Sequence, residues 1–108
     1  MYKQRRTGTF KKDVKLCIKR NYDVNILIKA IKILAEKGEL PDDYLPHLLQ
    51  GNLKGYWECH LKPDWLLIWY IEYEKTPYYE FDEESGENKL IEGTVVFVNT
   101  GTHSDLFK

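Results

Sequence analysis

His60-Leu61-Lys62-Pro63-Asp64-Trp65 and, near the chain end, Thr100-Gly101-Thr102-His103-Ser104-Asp105-Leu106-Phe107 set histidines and aspartates beside apolar runs that read as strands. Imidazoles give and take protons near neutral pH, which carboxylates alone seldom do. With the third histidine, His47, they fit cleavage of an RNA phosphodiester, whose 2′-hydroxyl is a built-in nucleophile that DNA lacks. That reaction needs a base for the hydroxyl, an acid for the leaving 5′-oxygen and positive charge on the phosphorane-like transition state. His60 or His47 suits the base, with Asp64 orienting an imidazole or serving as base itself, and His103 suits the acid. Lys54, with protonated imidazoles and backbone N–H groups, is the source of positive charge. Trp65 and Phe107 suit stacking of a splayed base, a contact worth about 1–3 kcal/mol.

Each residue also has a plainer reading. Strand-end histidines are usually surface residues, Asp64 after Pro63 suits any turn, Trp65 suits a core, and Phe107 could simply pin the C-terminus. No short ligand spacing such as His-x-x-x-His supports a metal site, and no cofactor is expected.

The elements that must position these groups read as follows. At 108 residues the chain is expected to form one domain, residues 1–108, with a core that needs no staples. Phe10, Val14, Cys17 and Ile18 form a helical stripe over 9–20. Asp23 is a good N-cap for a second helix that buries Val24, Leu27, Ile28, Ile31, Leu34 and Ala35 and stops at Gly38. Residues 40–55, rich in Pro and Gly, read as a loop containing His47, Gln50 and Lys54. Residues 56–61 alternate, placing Trp57, Cys59 and Leu61 on one face and Tyr56, Glu58 and His60 on the other. Lys62-Pro63-Asp64 is a tight turn, 65–73 a central strand and 94–99 the last strand, with a short strand at 2–6. Thr76-Pro77 and residues 83–88 mark turns, so 74–92 forms an acidic hairpin insertion. The order predicts an α+β fold in which a two-helix hairpin packs on one face of a twisted, mainly antiparallel sheet.

The net charge of −1 hides an asymmetry: residues 1–37 hold 11 Lys and Arg against 3 Asp and Glu. A basic front half suits a polyanion such as RNA as well as it suits the wet faces of two helices. Cys17 and Cys59 match no disulfide framework, so a reducing, cytoplasmic compartment is expected. The basic N-terminus lacks the apolar run of a signal peptide, and no membrane span is expected.

Phe10-Lys11-Lys12-Asp13-Val14-Lys15-Leu16, Leu49-Gln50-Gly51 with Lys54-Gly55-Tyr56, His60 with Pro63 to Ile68, and Thr100 to His103 with Leu106-Phe107 resemble the YafQ-type toxins of the RelE/ParE superfamily. The resemblance covers nearly the whole chain except the acidic insertion. It implies a RelE-like fold and a ribosome-dependent endoribonuclease that cleaves mRNA and is silenced by a cognate antitoxin. It also implies site roles for His47, His60, Asp64, Trp65, His103 and Phe107. Asn99 stands where the family usually has an arginine, and it can donate to a phosphate but brings no charge. Two alternatives stay open: a ParE-like, non-catalytic gyrase inhibitor, and a weakened toxin homologue that mainly binds antitoxin.

Overall fold

The computed structural model describes residues 1–107. Its order is β1 (Tyr2–Arg6), α1 (Gly8–Lys19), α2 (Val24–Lys37), β2 (His47–Leu48), β3 (Trp57–Lys62), β4 (Trp65–Asp82), β5 (Glu87–Gly101) and α3 (His103–Leu106). The strands form one five-stranded sheet in the order β1-β5-β4-β3-β2. Only β1 runs parallel to its neighbour; the other pairings are antiparallel. The expected α+β architecture is present.

Local chemistry sets the helix ends. The Thr7 hydroxyl accepts from the Phe10 N–H at 3.0 Å and donates to the Val98 carbonyl at 3.0 Å, capping α1 and tying it to β5. Asp23 caps α2 by accepting from the Asn25 N–H, and Gly38 ends it at φ 74°. A Cβ on Gly38 would sit 2.5 Å from the Tyr2 ring, so the residue serves both the left-handed cap and the packing of β1.

Both helices cover one face of the sheet. Phe10 and Cys17 of α1 and Leu27, Ala30, Ile31 and Leu34 of α2 pack with Cys59, Leu61, Trp65, Leu67, Trp69, Val95 and Phe97 of the strands. The alternation read for β3 holds, with Cys59 and Leu61 in this core. Two apolar positions expected to be buried are not: Ile18 is 55% exposed and Ile28 is also exposed, because each lies at the margin of a stripe narrower than the apolar pattern. Ala30 takes the place of Ile28 against the sheet.

Residues 74–92 do form a hairpin, as a direct prolongation of β4 and β5 beyond the flanking strands. Thr76-Pro77 is not a turn. The strand runs through it, and proline is absorbed in a register irregularity between Tyr73 and Tyr78, where β3 no longer flanks β4. No helix among the described residues is long and apolar enough to cross a membrane.

Candidate active site

The uncovered face of the sheet carries His60, and an edge strand, a turn and a short helix bring the other groups to it. His47 was expected in a loop, but a two-residue edge strand pairs it with Glu58 of β3. The Lys62-Pro63-Asp64 turn presents Asp64, and α3 presents His103 directly after β5. The outcome is a row of rings. His47 and His60 have centroids 6.3 Å apart, His60 and His103 6.0 Å, and His103 and Phe107 6.4 Å.

Hydrogen bonds fix the working nitrogen of each ring. His60 Nδ1 lies 3.3 Å from the Pro63 carbonyl oxygen, which only accepts, so Nδ1 carries the proton and Nε2 offers its lone pair. His103 Nδ1 donates to Asp64 Oδ1 at 2.6 Å, and the same oxygen accepts from the His103 backbone N–H at 3.0 Å. These two contacts, the backbone one first, hold the Asp64 carboxyl below its ordinary pKa. Asp64 is thus placed to orient the His103 ring as an anion, one of the roles open to it in the sequence. His47 faces acceptors on both sides: Nδ1 lies 2.9 Å from the Leu45 carbonyl and Nε2 lies 3.3 Å from Glu58 Oε1.

Glu58 was not expected at the site. The residue is 5% exposed, and its carboxylate lies against His47. Alternation had put it on the same face as His60, but its pairing with His47 depends on β2, which leaves no periodic signal.

A second unforeseen group is the clasp that holds α3. Arg20, at the end of α1, donates to Asp105 through Nη1 at 2.6 Å and Nη2 at 3.2 Å. Asp105 also accepts from the Thr102 N–H at 2.9 Å, while the Thr102 hydroxyl accepts from the Asp105 N–H at 3.1 Å, a capping box legible as Thr-x-x-Asp. The Arg20 guanidinium, and then the Thr102 amide, hold the Asp105 carboxyl far below the usual range. A depressed folded-state pKa means that the stability the clasp contributes is fully present above the unfolded value of about 3.9, declines below it, and is gone once pH falls through the much lower folded value. Arg20→Ala should speed amide hydrogen exchange at Thr102–Phe107 at neutral pH while leaving exchange in β4 unchanged. The same loosening should appear in the parent protein only under acid.

Three expected site residues lie elsewhere. Trp65 is 3% exposed, its Nε1 donates to Thr100 Oγ1 at 2.9 Å, and Tyr22 packs edge-on against it at 4.9 Å. It offers no open face to a base, and the plainer core reading fits. Asn99 turns to α1, where its amide and the Thr100 N–H both donate to Asp13 Oδ2, at 3.0 and 3.1 Å. Its donor is engaged away from the ring row. Lys54 is exposed on the β2–β3 connection, and no contact among the described residues joins it to the row. Both cysteines are free and buried, and burial pushes the Cys59 thiol up to about 12, so neither is a ready nucleophile.

Comparison with known proteins shows the family. Residues 2–108 match the family described as bacterial toxin of type II toxin-antitoxin system, YafQ. The mRNA interferase toxin YafQ of Escherichia coli K12 is 36% identical over 102 residues, covering 94% of this chain and 90% of that protein. The crystal structure of YafQ from E. coli BL21(DE3) superposes with a TM-score of 0.73 at 32% identity and full coverage of both chains. The E. coli DinJ–YafQ toxin–antitoxin complex matches with a TM-score of 0.72 at 33% identity, covering 99% of this chain and 98% of that one. The chain belongs to the YafQ family of bacterial toxins.

Proposed function

We propose that this toxin cleaves mRNA on the ribosome by metal-independent general acid–base chemistry carried by the His47–His60–His103 row. Membership of the YafQ family makes it an mRNA interferase, an endoribonuclease of a type II toxin–antitoxin system. The observation that supports the residue roles is the ring row itself, with one imidazole tied to a carboxylate on each side of His60.

His60 Nε2 takes the proton of the 2′-hydroxyl as the O2′–P bond forms. The P–O5′ bond breaks, and His103, as an imidazolium partnered by Asp64, gives its proton to the departing O5′. The products are a 2′,3′-cyclic phosphate and a 5′-hydroxyl. His47, whose ring lies between the Leu45 carbonyl and the Glu58 carboxylate, is the group assigned to the phosphorane oxygens, which it can meet as a hydrogen-bond donor. Phe107, 44% exposed and next to His103, is the stacking surface.

None of the lysines of α1 and α2 forms an ion pair among the described residues, which leaves a cationic helical face for ribosomal RNA. The DinJ complex of the E. coli relative supports a cognate antitoxin as the other partner. Ribosomes as the working site place the protein in the cytoplasm.

Purified protein should cut ribosome-bound message at defined positions and naked RNA poorly, with EDTA having no effect and association weakening as salt rises. Equal cutting of naked and bound RNA would remove the ribosome from this reading. DNA damage without RNA ends would favour the gyrase alternative.

A further inference from the structure

The prolonged hairpin of β4 and β5 has no part in the reaction above, and its two faces differ. One face is anchored: Ile91 is buried, Glu80 pairs with Lys3 at 2.9 Å, and the Lys3 ammonium stands 5.9 Å from the centre of the Tyr78 ring. The other face is bare. Tyr79 and Phe81, alternate residues of β4, are 72% and 60% exposed, and Leu90, opposite Tyr79 on β5, is exposed as well. Residues 74–92 hold 7 Asp and Glu against 2 Lys, and Asp82, Glu83, Glu84 and Glu87 crowd the tip. Open aromatic surface rimmed by charge is the mark of an interaction site.

A complementary surface stands on α1. Lys11, Lys15 and Lys19 follow one another at helical spacing, exposed on the side away from Phe10 and Cys17, and none forms an ion pair among the described residues. The exposed Ile18 comes one turn after Lys15, so an apolar side chain borders this cationic row. The arm cannot reach the row of its own chain. α1 begins beside Val98, passes Asn99 and Thr100 at Asp13, and ends at the Arg20–Asp105 clasp, so it runs away from the hairpin. From Val98 back to Glu87 there is about 36 Å of strand, in a molecule 41 Å long. We propose that two copies of this chain pair antiparallel, each laying its acidic, aromatic arm on the lysine row of the other's α1. Carboxylates meet ammonium groups, while Tyr79 and Phe81 cover Ile18 and the apolar lysine stems. A two-fold axis relating the two contacts closes the assembly at a dimer. The net charge of −1 sets no repulsion against it. RNA is the poorer occupant of the arm, because its phosphates would face the tip carboxylates. The pair covers lysines that the proposed reaction offers to ribosomal RNA, so pairing and ribosome binding exclude each other. That consequence, unlike the pair itself, rests on the RNA-cleaving reading.

Sedimentation equilibrium of the full chain tests the pair. At about 100 µM protein and low salt the mass should be that of a dimer, if the contact is of micromolar strength. At about 1 M salt, where the Debye length is about 3 Å, it should be that of a monomer. The arm variant Glu83→Gln/Glu84→Gln/Glu87→Gln and the row variant Lys11→Gln/Lys15→Gln/Lys19→Gln should each weaken self-association by about tenfold, the scale of several exposed ion pairs lost together. Mixed, the two variants should bind each other more tightly than either binds itself, because one arm and one row are then intact. Amide shifts on mixing should fall in residues 79–90 of the row variant and in α1 of the arm variant. A parent that stays monomeric at low salt, or variants that pair as well as the parent, overturns the proposal. A mass that keeps growing with concentration also overturns it, because an open head-to-tail chain has no two-fold axis. On ribosomes the arm variant should bind at lower total protein than the parent, since less of it is held in pairs. Weaker ribosome binding by the arm variant would make a ribosomal component the partner of the arm and overturn the pair. Dimers that form as expected from a chain that neither binds nor cuts on ribosomes would sink the ribosome reading and leave the pair standing.

Discussion

Replacing His60 or His103 by alanine should lower cleavage of ribosome-bound message by about 10²–10⁴-fold, the range for losing one positioned proton carrier. The two losses should differ in their pH dependence. Without His60 the limb that requires an unprotonated base should vanish, because its Nε2 is the lone pair that the Pro63 contact leaves open. Without His103 the limb that requires a protonated acid should vanish, because its ring is the one partnered by Asp64. Single-turnover rates across pH, with ribosome binding measured alongside, decide the matter. His103 is exposed and His60 half-buried outside the core, so neither change should alter the thermal unfolding midpoint greatly. Two folded variants that cut like the parent would return these histidines to the status of ordinary surface residues.

Trp65→Ala should destabilise the fold by about 3–5 kcal/mol, the range for truncating a buried large aromatic. The indole fills the core beneath Tyr22, and its N–H satisfies the hydroxyl of Thr100, which in turn donates to the Leu66 carbonyl at 2.7 Å. Its removal leaves a void and an interrupted hydrogen-bond chain at the place where β4 and β5 hand over to the segments that carry Asp64 and His103. A stacking residue would behave otherwise, with cleavage falling at unchanged stability. Equilibrium denaturation of Trp65→Ala and Trp65→Phe separates the two, and a folded, fully stable Trp65→Ala would overturn the core reading.

Features made by local chemistry could be read from the chain. Asp23 and Gly38 bound α2 because a side-chain cap and a left-handed glycine act within one helical turn. The faces of β3 followed from alternation, and the Pro63-Asp64 turn from residue type. What escaped depends on distant partners. The β2 strand exists through pairing with β3, so the Glu58–His47 contact had no signature in either segment. The partner of Trp65 lies 35 residues away, and a tryptophan that plugs a core looks locally like one that stacks a base. Asn99 kept its spacing from His103, but Asp13 on α1 draws its amide to the covered side. Pro77 reads as a turn in isolation and is tolerated in a strand whose neighbour has already ended.

The joining of β1 to β5 has a consequence in time. Thr7 and Val98, hydrogen-bonded at the start of α1, are 91 residues apart in sequence, and β5 lies inside the sheet between the first strand and β4. Closing so long a loop costs chain entropy before any contact repays it, and sheets built on distant pairings form in about milliseconds to seconds, slower than helical bundles. His103 follows β5 directly, and the clasp that holds α3 reaches back to Arg20 at the end of α1, so the proposed acid is fixed in place only when early and late parts of the chain have found each other. Until that docking is complete the proposed acid is not held beside the proposed base, so in folding order the candidate site comes last.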